Sequence, residues 1–348
     1  FLANRLDWIK NLKLRASFGS AGNDKIASNA WQLIYNTNNE NKPYFPNEIE
    51  APNFIPGSIL YNPTLKWEKT LTRNIGVDFE LFNGRLSGNV DYYHNTTSDL
   101  LIQAPLPTSS GYASQLQNFA QTSNRGIVLS LDAVLINKRD FSLSVNFSVA
   151  FNKNRVDEFR NGDVDYKTYT SGWNGTAQPL EDYLIKQGSP VGQMYGYVTD
   201  GMYSFDDFIF NNTSKKWELD PTKGTPDNSA ITSSNFGPGA LKFKDISGPD
   251  GVPDGKIDSY DKTIIGDANP KHVGGFNIQA RYKGFDASVF LNWTYGNSIY
   301  NANKLDYSAY LLTRKYQNLV ADMSLANRLT MIDPLTGINI YSGSNANP

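Results

Sequence analysis

Asn83-Gly84 separates two stretches of strict alternation, and this constrains the fold more than any other local feature. Before it, Ile75, Val77, Phe79 and Leu81 alternate with Asn74, Gly76, Asp78 and Glu80; after it, Leu86, Val90 and Tyr92 alternate with Ser87, Asn89 and Asp91. A period of two puts successive side chains on opposite faces of a strand. Asn-Gly favours the left-handed backbone that a tight hairpin needs. The segment is therefore an amphipathic antiparallel hairpin.

The same pattern recurs along the chain. Ile127, Leu129, Leu131, Ala133 and Leu135 lead to a turn near 137–140, and Phe141, Leu143, Val145, Phe147, Val149 and Phe151 lead out of it. Phe276, Ile278, Ala280 and Tyr282 precede Lys283-Gly284, and Phe285, Ala287, Val289, Leu291, Trp293 and Tyr295 follow it. Near the start, Leu12, Leu14, Ala16 and Phe18 alternate with Lys13, Arg15 and Ser17. With 20 Tyr and 19 Phe, the composition favours strands over helices.

Alternation fits either a soluble β-sandwich or a membrane barrel, and two features favour the barrel. The alternation is sustained for roughly 10–12 residues, where soluble strands run about 5–6. Very short turns also alternate with long connections, as between Gly19 and Trp67 and between Asn152 and His272. Outer-membrane barrels have short periplasmic turns and long extracellular loops. Phe82, Phe141, Tyr282 and Phe285 flank the tight turns, and Tyr92, Trp293 and Tyr295 lie about one strand length away, as two interfacial girdles do. The fold class is thus all-β, an antiparallel transmembrane β-barrel, which the resemblance given below makes a fragment of a large one.

Composition excludes several functions. The chain has no cysteine and two histidines, which removes thiol nucleophiles, disulfides and zinc clusters. A net charge of -2 gives no basic face for nucleic acid. Adjacent carboxylates at Asp157-Glu158 and Glu181-Asp182 read as solvated loop charges, so the chain is read as no enzyme. "GYVTDG" and "GPGA" lack the strand-to-helix setting of a phosphate loop.

One stretch has ligand chemistry. "DGVPDGKIDSYD" (250–261) spaces Asp250, Asp254, Asp258 and Asp261 around Gly255, close to a calcium loop. Flanking Gly and Pro rule out the helices of an EF-hand, and Val252 stands where a third ligand is usual. Two readings stay open: a metal-free acidic turn, or a structural Ca2+ held by Asp250, Asp254, Asp258, Asp261 and the Lys256 carbonyl. Loop aromatics suited to stacking on sugars or packing under a lid include Trp31, Tyr166, Tyr169, Trp173 and Trp217.

Five segments in order carry a family resemblance: "NLKLRASFGSAGN" (11–23), "NPTLKWEKTLTRNIGVDFELFNGRLSGNVDYY" (62–93), "NFAQTSNRGIVLSL" (118–131), "GSPVGQMYGYVTDGMY" (188–203) and "GALKFKDISGPDGVPDGKIDSYDKTIIGDANPKHVGGF" (239–276). Together they resemble the C-terminal barrel of SusC/RagA-type TonB-dependent outer-membrane transporters. That resemblance implies one C-terminal β-barrel domain over 1–348, with a long extracellular loop region at 153–271. It implies import of oligomeric nutrients, glycan oligosaccharides first and peptides second, across a Gram-negative outer membrane. A SusD-like lipoprotein, outer-membrane lipid and TonB, reached through an N-terminal region outside this chain, are the implied partners. The family's acidic motif is more compact, which makes Asp245 and Ser247 alternative contributors to the cation. With about eight strands visible, the chain reads as an internal piece of a longer polypeptide. The competing function is a soluble extracellular glycan-binding β-sandwich with a calcium-stapled loop.

Overall fold

The computed structural model describes residues 8–26, 30–37, 54–159, 166–170, 181–214, 216–232, 236–308, 320–321 and 324. The first strands are β1 (Ile9–Asn23), β2 (Tyr35–Thr37), β3 (Phe54–Pro56) and β4 (Ile59–Leu60). There follow β5 (Glu68–Leu81), β6 (Leu86–Pro105), β7 (Ser114–Asn137) and β8 (Phe141–Phe159). Shorter strands come next: β9 (Tyr166–Thr170), β10 (Glu181–Lys186), β11 (Gln193–Gly196), β12 (Thr199–Met202), β13 (Phe208–Asn211), β14 (Lys216–Leu219), β15 (Leu241–Phe243) and β16 (Thr263–Asp267). The last two are β17 (His272–Tyr282) and β18 (Phe285–Tyr295). No described helix is long and apolar enough to cross a membrane.

The chain divides into two compact units. The first, residues 1–167, 185–191 and 269–297, is dominated by an antiparallel ladder in the order β1-β5-β6-β7-β8-β17-β18, with β4 paired parallel to β7. The second, residues 168–184, 192–268 and 298–348, holds small sheets among its described residues.

Register turns local alternation into two continuous faces. Directly opposed residues of neighbouring strands point the same way. One row reads Leu14, Val77, Val90, Leu129, Val149, Gly274, Trp293 from β1 to β18. Another reads Leu12, Phe79, Gly88, Leu131, Phe147, Phe276, Leu291. On the reverse face the corresponding row is Lys13, Asp78, Asn89, Ser130, Ser148, Gly275, Asn292. Among the described residues much of the apolar face is exposed: Leu14 and Phe18 are each 74% exposed. A sandwich buries that face against a second sheet; here it is left bare, as a lipid-facing band is.

The turns bear out the Asn83-Gly84 signal and extend it. Phe82, Asn83 and Gly84 all have positive φ, at 54°, 56° and 83°. The first pair across the hairpin is Leu81 with Leu86, so the connection takes four residues rather than two. An aromatic residue at positive φ is uncommon. Phe82 is held there by its backbone bond to the Trp8 carbonyl and by stacking on the Trp8 ring, with centroids 5.9 Å apart. At the other hairpins Phe141 and Tyr282 meet edge to face, 6.4 Å apart.

The ladder also runs past the apolar band. β6, β7 and β8 have 20, 24 and 19 residues, whereas a tilted strand crosses a bilayer in about 9–11. β8 continues from Asn152 to Phe159, where the alternation of apolar side chains has already stopped. Beyond the band polar side chains occupy both faces from Asn152 to Arg155, and side-chain contacts such as Ser123–Asp157 and Phe119–Phe159 add to the backbone pairing. Val156 shows the transition: it is 1% exposed, and its backbone exchanges hydrogen bonds with Ser189 and Gly188.

Gly274 shows how tightly the outer face is tiled. A Cβ there would overlap the Trp293 ring and the Ser148 carbonyl. Trp293 lies over the glycine, stacks on Phe147 at 5.9 Å, and donates Nε1–H to His272 Nδ1 at 3.0 Å. Gly274→Ala should lower the unfolding free energy of the full-length protein in vesicles by about 1–3 kcal/mol, the usual effect of overpacking. Gly19→Ala, with nothing within 4 Å, should stay within about 0.5 kcal/mol. Urea midpoints of the two variants check both expectations.

Candidate functional site

On the polar face the strongest interaction is an ion-pair cluster shared by three strands. Arg15 on β1 reaches Asp78 on β5, with Nε 2.9 and 2.8 Å from the two carboxylate oxygens. It also reaches Asp91 on β6, with Nη2 3.0 Å from Oδ2. Asn89 donates to the same Asp91 oxygen at 2.6 Å. Gly76 sits between Arg15 and Asp91 in the pairing register, and a Cβ there would stand 2.9 Å from Arg15 Nη2. The glycine leaves room for the guanidinium to cross β5. Below this cluster Asn146 donates to Asp132 and Asn277 donates to Asn146 at 3.4 Å, so polar contacts run on across β7, β8 and β17. Such a face suits a water-filled lumen, and it offers fixed charges and amides without any nucleophile–base pair.

In the second unit, the acidic stretch 245–261 is tied together by its own carboxylates. Asp261 is fully buried, at 0% exposure. Its Oδ1 accepts from the backbone N–H of Ile246 at 2.7 Å and of Ser247 at 3.2 Å, and its Oδ2 accepts from Asp258 at 2.9 Å. Asp258 caps a short turn by accepting from Tyr260 N–H at 2.8 Å. Asp254 accepts from Lys256 N–H at 3.0 Å, and Asp245 Oδ2 from Gly255 N–H at 2.5 Å. Ile257 is fully buried, and its N–H and the Gly255 carbonyl bracket Asp227.

The candidate cation ligands are thus near one another in the chain but engaged with backbone. Among the described residues no group of three or more acidic or histidine side chains is placed to share a metal ion. Asp250 is exposed, and Ser247 Oγ donates to the Gly248 carbonyl at 3.3 Å. One oxygen fits an ion better: Asp245 Oδ1 is buried and has no hydrogen-bond partner.

The candidate aromatics take different roles. Trp217 packs in a cluster, edge to face with Phe205 at 5.6 Å and Phe210 at 5.1 Å, and so anchors the β13–β14 hairpin. Trp31 and Tyr166 are exposed, at 55% and 54%. Tyr169 is half-buried, which pushes its hydroxyl up. Trp173 lies outside the described residues. Near Trp217 a second cluster forms the core of this unit: Tyr203 meets Phe208 and Phe236 edge to face, each at 5.5 Å. Burial pushes the Tyr203 hydroxyl up to about 12, and it donates to the Pro226 carbonyl.

Sequence reasoning missed the Arg15 cluster and the role of His272. Each residue of the cluster sits at a polar position of its strand, but Arg15 and Asp78 are 63 positions apart in the chain, and only the register brings them together. His272 stacks on Tyr295 at 5.0 Å and accepts from Trp293.

The family described as TonB dependent receptor-like, beta-barrel matches residues 3–312. This chain belongs to that family. Among curated relatives, TonB-dependent receptor P39 of Formosa agariphila is 32% identical over 310 residues, covering 85% of this chain and 28% of that protein. TonB-dependent receptor SusC of Bacteroides thetaiotaomicron is 26% identical over 303 residues, covering 84% of this chain and 26% of that protein. Among solved structures, the RagAB peptide importer in its open-open state aligns with a TM-score of 0.61 at 22% identity, over 84% of this chain and 27% of that chain. The RagAB peptide transporter aligns at 0.57 and 23%, covering 84% and 28%. The chain therefore spans roughly a quarter of the length of its relatives. It is an outer-membrane β-barrel segment of that family, similar to SusC and to the RagAB transporter, and the soluble sandwich is set aside.

For the acidic stretch, Asp261→Asn should weaken local closure by about 2–3 kcal/mol, because an amide cannot accept from three backbone donors as a carboxylate does. Asp250→Asn should stay within about 0.5 kcal/mol. Amide hydrogen exchange over 245–261 reads the difference.

Proposed function

We propose that the protein carrying this chain imports oligomeric nutrients across the outer membrane by TonB-driven, gated passage, with no bond made or broken. The observation that carries this reading is a ladder with one bare apolar face and one polar, ion-paired face, in a family of TonB-dependent receptors. A wall with that polarity lines a wet passage through lipid. Residues 153–271 form a long extracellular loop region, since their connection joins strands at the end opposite the tight turns. A SusD-like surface lipoprotein docks at that end, and TonB engages an N-terminal region outside this chain.

Glycan oligosaccharides are the favoured cargo, supported by exposed aromatics such as Trp31 and Tyr166, which offer rings for sugars to stack on. Peptides are the second class, supported by likeness to a transporter described as a peptide importer. Deleting the full-length gene should abolish growth on one of the two oligomer classes while leaving growth on the monomers intact. Unchanged growth on both overturns import. Tyr166→Ala should weaken glycan binding several-fold if the favoured class holds, whereas Trp217→Ala should loosen its hairpin, because Trp217 is already packed.

A structural calcium ion is proposed as an added closure of the 245–261 stretch. Asp245 Oδ1 is its anchor, with Asp250 and the Lys256 carbonyl as further oxygens, while Asp254, Asp258, Asp261 and Ser247 would join only by giving up their present backbone contacts. A chelator should speed protease cutting within this stretch of the full-length protein, and calcium should reverse it. Equal cutting with and without the chelator removes the ion and leaves the hydrogen-bonded closure.

A further inference from the structure

Just beyond the apolar band, on the same outward face, the pairing register sets four basic side chains in a row. Arg73 on β5 pairs with His94 on β6, His94 with Arg125 on β7, and Arg125 with Lys153 on β8. The row directly beneath is apolar: Ile75, Tyr92, Ile127 and Phe151. With strands about 4.8 Å apart the basic row spans roughly 14 Å, and it stands about 7 Å along the strands from the apolar row. Arg155 lies in the next row outward, opposite Ser123.

Among the described residues these charges are not neutralised. Arg73, Arg125 and Lys153 are exposed. Arg73 Nη1 reaches only Thr96 Oγ1, at 3.5 Å, and no described carboxylate pairs with Arg73, Arg125 or Lys153. Asp157, on this face, accepts from Ser123 and lies 4.0 Å from Arg155. Nor is the row the overflow of a basic chain, whose net charge is -2. Like charges set side by side on a sheet are destabilising, so a row of them calls for an outside counter-charge.

Its position says which. The row begins where the lipid-facing band ends, at the end away from the tight turns, and so lies in the headgroup layer. Guanidinium forks match phosphate oxygens, and a lysine adds a point charge. We propose that Arg73, His94, Arg125 and Lys153 form a docking row for the phosphate groups of a phosphorylated glycolipid in the outer leaflet. The choice of leaflet rests on the extracellular reading of the long-loop end given above.

Full-length protein in phosphatidylcholine nanodiscs containing diphosphorylated lipid A tests this by native mass spectrometry. Each surface cation near a charged membrane contributes about a fivefold factor, so the triple variant Arg73→Gln, Arg125→Gln, Lys153→Gln should lose on the order of a hundredfold in lipid A retention. The double variant Arg73→Lys, Arg125→Lys should keep most of it, and heat-modifiable gel migration verifies that every variant is folded. Dephosphorylated lipid A should bind wild type no better than the triple variant binds the phosphorylated form. Equal retention by wild type and triple variant overturns the proposal, and so does indifference to the phosphates or an equal preference for phosphatidylglycerol. Orientation is read separately, by an impermeant maleimide on Val252→Cys in intact cells. Labelling with unaltered lipid retention in the triple variant overturns the row alone. Absence of labelling overturns the extracellular reading, and the outer leaflet with it.

Discussion

A backbone inside a bilayer has no water to satisfy its amides and carbonyls, and the rest of this structure depends on that constraint. The answer is lateral pairing, strand to strand, from β1 through β18. Once the ladder exists, the side chains follow from a period of two. Apolar residues occupy one face and polar residues the other, and the register keeps each row in line over seven strands. A slip of one residue would exchange the faces, so the contacts that resist slippage matter beyond their individual energies.

Two such contacts sit on opposite faces and use the same device. On the polar face, Arg15 crosses Gly76 to reach Asp91; on the apolar face, Trp293 lies over Gly274 and ends against His272. In both, a glycine in one strand receives a long side chain from its neighbour. Shifting either pair puts a side chain where the glycine was needed, or leaves a charge or an indole without its partner. Where no ladder is available, in the 245–261 stretch, the buried Asp261 carboxylate takes over and collects the backbone donors that a strand partner would otherwise accept.

The hairpins were legible in the sequence because their partners are neighbours in the chain and their faces differ in polarity. Leu81, Asn83-Gly84 and Leu86 suffice to place β5 against β6. The outer parts of β6, β7 and β8 were not legible, because beyond Thr72 and Asn95 the alternation breaks into runs, Thr96-Thr97-Ser98-Asp99 and then Leu100-Leu101-Ile102, while the pairing continues. Nor was the Arg15 cluster, which depends on a long-range register. The acidic stretch was recognised as a unit from Asp spacing. That Asp261 and Asp258 spend their oxygens on backbone donors is a matter of local geometry, which spacing does not encode. Trp217 illustrates the same limit: its type suggested ligand stacking, and its neighbours Phe205 and Phe210 make it an anchor.

β8 and β17 are hydrogen-bonded neighbours, although residues 160–271 lie between them. To the ladder this whole insertion is one hairpin connection. The entropy of closing a connection rises only slowly with its length, so the membrane part of the protein is nearly blind to what the insertion contains. Strands and insertion can therefore diverge at separate rates. A lineage can rewrite the inserted segment while inheriting its means of residing in lipid unchanged.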